Sequence, residues 1–348
     1  MAAPEPPPHT RFALVVGDVA PEGAHSAAGA VVFRGGRLLH WGAVAEVGHG
    51  RALGVFDGVL FNAADVRQRL TARGLAVAGL DHARLALEWL AAFGPAAIGD
   101  LRWHGALALL HRAQGVVLLA RDLVGVGWLG RLAWPGGAVW TSDPRWPAAE
   151  QVAAPPGWVG VWSTAGLQQP KVAYGPGNQL FLREIPDEAR SATAVSALAR
   201  AQALLHDAVA ACGEDGFGID ARAVAPMVWH GTCGRGALWT PVGTRRWRSP
   251  GGAVCLRARD LRDDGPHEPV ASADPADAAQ RLWRWNTMPD GPLREARIAA
   301  LDAGEALVAP HLDPALLAWL GALPREVRPA WLGIGDPAGE TGTDGNGG

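Results

Sequence analysis

Apolar runs in the first half of the chain predict antiparallel strands joined by glycine turns. Continuous apolar stretches at 106–110 and 116–120 are separated by a short polar turn ending in Gly115. This pattern is typical of two neighbouring strands that are buried on both faces. Residues 128–134 and 138–141 repeat it around a Pro-Gly-Gly turn. The sequence therefore predicts a four-stranded antiparallel meander here.

Further strands and two helices are predicted before this meander. A strand at 12–16, a hairpin over 30–42 and a strand at 53–61 have the same apolar character. Asn62 and Asp81 each precede an amphipathic segment closed by a glycine, the pattern of an N-capped helix. Two helices are therefore expected between two groups of strands, the order of a layered α+β domain.

The second half has a weaker pattern. Strands are expected at 155–164 and 179–186, and one long helix at 187–211 with Val195, Leu198, Leu205 and Val209 on its buried stripe. Beyond it, short strands are predicted at 237–242 and 253–257.

Composition excludes several function classes. The chain has 348 residues, of which 19% are charged, and a net charge of −3. No electrostatic footprint for nucleic acid or an anionic membrane is visible, so neither is an expected partner. Cys212, Cys233 and Cys255 lie too far apart for a disulfide framework or paired zinc ligands. The opening segment has no signal-peptide pattern, and a cytoplasmic location and no metal are expected.

Two short motifs carry a resemblance to a known family. Leu-Leu-Ala-Arg-Asp at 118–122 and Trp-Thr-Ser-Asp at 140–143, in their order and spacing, resemble the amino-terminal domain of the asparagine synthetase family, the class II glutamine amidotransferases. Residues 304–324 resemble the synthetase stretch in which a proline-containing turn ends in a helix-capping Asp. Relatives of the family include β-lactam synthetases and lasso-peptide cyclases.

The resemblance implies an α+β fold in two parts. An N-terminal-nucleophile-type αββα sandwich over 12–190 would be followed by a reduced, mainly helical remnant of an ATP-pyrophosphatase α/β domain over 191–332. Flexible tails are expected at 1–11 and 333–348, the second of them low in complexity.

The family's glutamine chemistry requires residues that this chain lacks. The nucleophile in the family is an N-terminal cysteine whose α-amino group is the base, whereas this sequence begins Met-Ala-Ala and has no cysteine before Cys212. The family's Asn-Gly oxyanion pair falls on Asp57 and Gly58, and a carboxylate there would repel an oxyanion. The Asp that binds the glutamine amino group falls on Asp81, which helix capping also explains. Asp57, Gly58 and Asp81 are therefore interpreted as vestigial, and no catalytic residue is assigned.

The family's ATP loop is also reduced. The resemblance places it on Gly216, Gly218 and Asp220, where both serines are missing and Phe217 occupies a position that must be small. No cofactor is therefore expected. His230 and Cys233 form an isolated pair without further ligands.

Three functions stay open at this point. The first is a non-catalytic scaffold or accessory protein in an amide-forming, peptide or natural-product pathway. The second is an ATP-dependent amide-bond-forming ligase or cyclase that uses ATP and Mg²⁺ at a divergent site. The third is an amidohydrolase with an exposed Thr or Ser, such as Thr10, as nucleophile.

The C-terminal part is rich in tryptophan, which has to be buried either on the sandwich or against a partner. Trp283, Trp285 and Trp319 are the candidate interface residues. A protein partner or self-association is expected from them.

Overall fold

A computed structural model describes most of the first 211 residues and short stretches after them. The described ranges are 10–17, 29–134, 137–145, 151–168, 187–211, 240–241, 246–248, 254–256, 293–294, 297–298, 301, 307, 309–323 and 327.

Fifteen strands are formed by the described residues. In chain order they are β1 (Arg11–Gly17), β2 (Gly29–Phe33), β3 (Gly36–Trp41), β4 (Ala45–Val47), β5 (Ala52–Leu60), β6 (Trp103–His111), β7 (Val116–Arg121), β8 (Gly130–Trp134), β9 (Gly137–Thr141), β10 (Val152–Ala153), β11 (Val159–Ser163), β12 (Gly166–Gln168), β13 (Thr240–Pro241), β14 (Arg246–Arg248) and β15 (Val254–Leu256).

The described helices lie between and after the strand groups. They are α1 (Ala63–Ala72), α2 (His82–Phe93), α3 (Asp187–Arg190), α4 (Ala194–Ala211) and α5 (Pro314–Ala322), with 3-10 turns at Pro95–Asp100 and Pro310–Leu312. None of these helices is both long and apolar enough to cross a lipid bilayer.

Two six-stranded antiparallel sheets form the body of the protein. The first has the order β10-β8-β9-β1-β3-β2 and the second β12-β11-β7-β6-β5-β4. Apolar side chains from both, among them Phe12, Leu14, Val55 and Ala108, form one buried cluster between them. The α+β arrangement of two antiparallel sheets with helices is as predicted.

Aromatic rings close the space between the sheets. Trp140 of the first sheet stacks on Trp158, which precedes β11 of the second, with ring centroids 4.7 Å apart and planes inclined by 20°. Phe33 and Trp162 meet edge to face at 5.6 Å. Such contacts contribute about 1 kcal/mol each beyond their buried area. On the outer face of the second sheet, α2 buries Leu87 and Leu90 in a separate cluster with α1 and β5.

The predicted four-stranded meander is wrong in one respect. β6 and β7 pair in the second sheet, whereas β8 and β9 pair in the first. The chain therefore changes sheets between Arg121 and Gly130. The reason is the buried carboxylate of Asp122, which accepts five backbone N–H groups at 2.7–3.2 Å and bends the chain away from β7. The donors are Gly105, Val124, Gly125, Val126 and Gly127.

Arg121 holds the same crossing segment by binding its backbone carbonyls, whereas Asp122 binds its backbone N–H groups. Its guanidinium, which is fully buried, donates to the carbonyls of Gly127 at 2.8 Å, Gly125 at 3.0 Å and Ala154 at 2.5 Å. The cation also lies 5.4 Å from the ring centre of Trp128. Since a buried charge is tolerated only when its hydrogen bonds are made, these carbonyls explain why an arginine can stand here.

Two helix predictions need correction. Asn62 does not cap α1 with its side chain; it binds the carbonyl of Asp100 at 2.9 Å and the N–H of Arg102 at 3.0 Å. The long helix predicted at 187–211 is interrupted before Ala194, because Thr193 and Ser196 exchange capping hydrogen bonds. Val195, predicted to be buried, is 79% exposed.

The buried face of α4 is offset from the predicted stripe. Ala197, Ala201, Leu204 and Leu205 pack there against Leu316, Trp319 and Leu320 of α5.

The strand predicted at 179–186 lies outside the described residues. Near the predicted strands at 237–242 and 253–257 the chain forms a small antiparallel sheet, in which β14 was not predicted. The helical remnant of an ATP-pyrophosphatase domain stays a prediction.

We expect Asp122→Asn to destabilise the protein by about 3 kcal/mol, because an amide nitrogen would face backbone donors and the charge-assisted bonds would be lost. Asp65→Asn is the matched control, since Asp65 is an exposed partner of Arg69. Urea denaturation measures both; equal midpoints for the two variants would contradict the central role of Asp122.

Candidate functional site

The site is the end of the sandwich where the chain crosses between the sheets, called here the crossing end. β1 begins there at Arg11 and β9 ends there at Thr141, beside the start of β8. In the second sheet, Asp57 lies opposite Ala106, which in turn lies opposite Arg121 at the end of β7. Polar side chains from both sheets therefore meet at one rim.

Three glycines bring the backbone segments of the rim into direct contact. A Cβ atom at Gly58 would overlap the carbonyl of His104, one at Gly105 would overlap that of Asp57, and one at Gly127 would overlap Gly105 itself. Gly105 also has a φ of +134°, which disfavours any other residue. Gly58 is thus required for packing, whatever role the family resemblance implies for it.

The carboxylate of Asp57 forms an ion pair with a residue far along the chain. Arg297 forms an ion pair with it through Nη2 and Oδ2, and the two side chains are only 7% and 6% exposed. The carboxylate predicted to oppose an oxyanion therefore faces a guanidinium and is shielded from water.

Arg294 lies beside this pair. Its guanidinium is 4.9 Å from the ring centre of Trp128, and its Nη2 donates to the carbonyl of Pro144 at 3.4 Å. Neither arginine was predicted as a site residue. A signal was present: Leu293, Arg297 and Leu301 recur every four residues and are all buried. A charged residue on such an apolar stripe requires a buried partner of opposite charge.

A second connection to the C-terminal part lies next to the first. Arg102 forms an ion pair with Asp313, whose side chain is fully buried and also caps α5 by accepting the N–H of Ala315 at 2.7 Å. The Nε2 of His104 lies 3.0 Å from the carbonyl of Leu312, so this nitrogen carries the proton. Burial lowers the pKa of His104, and Asp122, the Leu312 carbonyl and Asp313 oppose that shift only in part.

The first-sheet side of the rim contains the Trp-Thr-Ser-Asp motif. Asp143 accepts hydrogen bonds from Arg11 at 2.6 Å and from the Nη2 of Arg145 at 2.8 Å. Burial raises the pKa of Asp143, but the bonds from Arg145 and Arg11 outweigh it and hold the pKa below its usual value. Thr141 and Ser142 bind the backbone of Phe12. The motif fastens β9 to β1.

Asp81 does not join the crossing end. It caps α2 by accepting the N–H of Arg84 at 2.7 Å, as predicted. The side chain of Arg84 reaches the carbonyl of Glu46, which pairs with Leu53. Leu53 lies four residues before Asp57 on β5, about 13 Å away along an extended strand. The structure therefore does not bring Asp57 and Asp81 together.

The other predicted positions are placed as follows. Trp319 is 8% exposed, and its Nε1 donates to the carbonyl of Ala197 at 3.2 Å, so it is a core residue and not an exposed anchor. Trp283, Trp285, Gly216, Gly218 and Asp220 lie outside the described residues. Within the described part, no three His, Cys, Asp or Glu side chains are grouped as metal ligands.

We expect Arg297→Met to cost about 3 kcal/mol, because it leaves the Asp57 carboxylate buried without a counter-charge. Adding Asp57→Asn should recover part of the loss, giving a coupling energy above about 1 kcal/mol in a double-mutant cycle. Arg69→Met, which removes a half-exposed pair, serves as control and should change stability by about 0.5 kcal/mol or less. Additive effects of the two core changes would show that the ion pair does not form.

Stability should fall as the pH decreases below 6.5, because His104 has a lowered pKa in the folded chain and the unfolded chain takes up the proton first. His104→Gln should reduce this slope by at most about 1.4 kcal/mol per pH unit. His82 and His111, whose pKa values burial also lowers, contribute to the slope in the same direction. Denaturation midpoints between pH 7.5 and 5 measure the slope; identical slopes would contradict the buried neutral imidazole.

Comparisons with known proteins give similarities of structure alone. No family model and no curated protein matches the chain. It is similar to the glutamine phosphoribosylpyrophosphate amidotransferase of B. subtilis, solved with ADP and GMP, at 12% identity and a TM-score of 0.34 over 57% of this chain and 52% of that one. It is also similar to a structure described as the allosteric regulatory enzyme of purine biosynthesis. The sequence identity is 14% and the TM-score is 0.33, over 59% of this chain and 53% of that one.

A glutamine aminotransferase class-II domain protein from Silicibacter pomeroyi gives 15% identity and a TM-score of 0.29, covering 47% of this chain and 96% of that one. The chain spans about half the length of the first two proteins. At these identities and TM-scores, the similarities carry no statement about activity.

Proposed function

We propose that this chain is an asparagine-synthetase-like protein whose amidotransferase sandwich is a non-catalytic scaffold in an amide-forming, peptide or natural-product pathway. The observation that supports it is the buried ion pair between Asp57 and Arg297. At the position that the resemblance gives to the family's oxyanion donor, a carboxylate is buried against a guanidinium of the same chain.

Electrostatics argue against glutamine hydrolysis at this end. Attack on an amide creates an oxyanion, which needs neutral or cationic donors aimed at it. Asp57 supplies a carboxylate instead, and the guanidinium that could offset it is already paired with that carboxylate. A substrate would have to displace Arg297 and leave a charge unpaired, a change that costs several kcal/mol.

Two hydroxyl groups at the crossing end are engaged in hydrogen bonds with the backbone. Thr10 and Arg11 stand where β1 begins, and neither supplies a thiol. Thr141 donates from its hydroxyl to the carbonyl of Phe12 at 3.2 Å, and the hydroxyl oxygen of Ser142 accepts the N–H of Phe12 at 3.1 Å. Both hydroxyls therefore support the fold, in line with a scaffold role.

A scaffold role includes a protein partner or a second copy of the chain. The edge strands of the first sheet support this part of the proposal, because Val32 on β2 and Val152 on β10 are 79% and 72% exposed. Exposed apolar side chains on strands at the edges of the described sheet favour association with another chain.

We expect the purified protein to release no glutamate from glutamine above the buffer rate, because the described residues of the crossing end include no thiol and the Asp57 carboxylate occupies the position that the resemblance gives to an oxyanion donor. A coupled glutamate assay, with an active amidotransferase as positive control, measures this. Glutamate release that is lost on Thr10→Ala would replace the scaffold by the amidohydrolase alternative. The folded state of that variant is checked by its melting curve.

The second candidate is an ATP-dependent amide-bond-forming ligase or cyclase that uses ATP and Mg²⁺. One observation favours it: Asp313 caps α5 after a proline-containing turn, as the resemblance of 304–324 to the synthetases implies. A site that binds ATP stabilises the folded chain by RT ln(1 + [L]/Kd). A rise in melting temperature at millimolar ATP and Mg²⁺, lost on Asp220→Ala, would support this candidate and contradict the scaffold.

A further inference from the structure

A cavity of about 370 Å³ lies at the far end of the sandwich, away from Asp57. It is bounded by the β4–β5 turn, the segment after α1 and the first turns of α2. The side chains that line it include those of Glu46, His49, Leu75, Val77, Arg84 and Glu88. Since β5 begins at Ala52, five residues before Asp57, the two sites are separated by about 17 Å along the strand.

The walls of this cavity are held by hydrogen bonds between elements. The Oε2 of Glu88 on α2 accepts the N–H of Gly48 at 3.0 Å. The Nη2 of Arg84 donates to the carbonyl of Glu46 at 3.3 Å. The first bond joins α2 to the β4–β5 turn and the second joins α2 to β4, so both hold α2 against this hairpin. A preformed site of this kind loses little entropy when it binds a small molecule.

Charged atoms of both signs remain available in the cavity. Glu88 uses only Oε2 and Glu46 only Oε1, which lies 3.4 Å from Arg112. Among the described residues, the second carboxylate oxygen of each glutamate has no hydrogen-bond partner. The guanidinium of Arg84 uses one N–H of its five. The cavity therefore presents two acceptors and a set of cationic donors.

Apolar atoms complete the lining. Val77 is buried and Leu75 is half-buried, and both belong to or pack against the main core beneath the cavity. A ligand that matches this lining carries a positive charge, a negative charge and a small apolar body. A simple cation would leave Arg84 unused, and a simple anion or nucleotide would face two carboxylates.

We infer that this cavity binds a free α-amino acid with a small aliphatic side chain. The ammonium group lies against Glu46 and Glu88, the carboxylate accepts from Arg84, and the side chain packs on Leu75 and Val77. This inference is independent of the proposed function, because no residue of the crossing end takes part.

The first test uses the unmodified protein and three related compounds. L-leucine should bind in isothermal titration, whereas N-acetyl-leucine, which lacks the ammonium, and leucine amide, which lacks the carboxylate, should each bind at least about tenfold more weakly, the value of one charge-assisted hydrogen bond. No binding of leucine, or equal binding of all three, would overturn the inference.

The second test locates the binding. Glu88→Gln keeps an oxygen for the Gly48 N–H but removes the charge, and Arg84→Gln removes the cation; each should weaken leucine binding by about tenfold or more. Asp65→Asn on the exposed face of α1 is the matched control and should leave binding unchanged. Wild-type affinity in a folded Glu88→Gln variant would place the leucine elsewhere and overturn the inference. If that variant does not fold, the comparison of the three compounds decides alone.

Discussion

Five backbone N–H groups donate to one buried carboxylate, that of Asp122, at the point where the chain leaves one sheet for the other. Their hydrogen bonds set the path of residues 122–127 and so the position of Gly127 against Gly105. Gly105 in turn determines how closely Gly58 approaches, and with it the place of Asp57 on the rim. The arrangement of the crossing end therefore follows from satisfying a single charge inside the protein.

Charge pairing also connects parts of the chain that are distant in sequence. Arg297 and Asp57 are 240 residues apart, and Arg102 and Asp313 are 211 apart. Apolar residues accompany them: Leu293, Ala309 and Leu312 join the cluster that contains α1 and α2. Buried ion pairs add little net stability but penalise alternatives that leave one member alone. These two ion pairs therefore determine the position in which the C-terminal residues pack against the sandwich, and they add little to the free energy of that packing.

Local patterns in the sequence predicted most of the strands and both helices of the first part, because burial on two faces requires continuous apolar runs. They could not predict which sheet a strand joins: the hairpins on either side of Asp122 look alike, and the Asp122 bonds that separate them are not visible as a periodicity. The capping role predicted for Asn62 was wrong for a related reason, because its side chain binds backbone groups that only the fold brings near.

The crossing end was predicted only in part. Asp57 was interpreted as a carboxylate at the family's oxyanion position, and its partner Arg297, which is set by tertiary structure, was not predicted. Asp81 was grouped with Asp57 by resemblance and lies elsewhere. Trp319 was interpreted as an anchor from its size, yet size alone does not distinguish a surface from a core position.

The shared carboxylate of Asp122 also has a consequence for motion. Because Gly105, Val124, Gly125, Val126 and Gly127 all donate to it, the release of any one of these amides leaves a buried charge with fewer partners. We expect their protons to exchange with water slowly for a connection between strands, because each opening carries this cost.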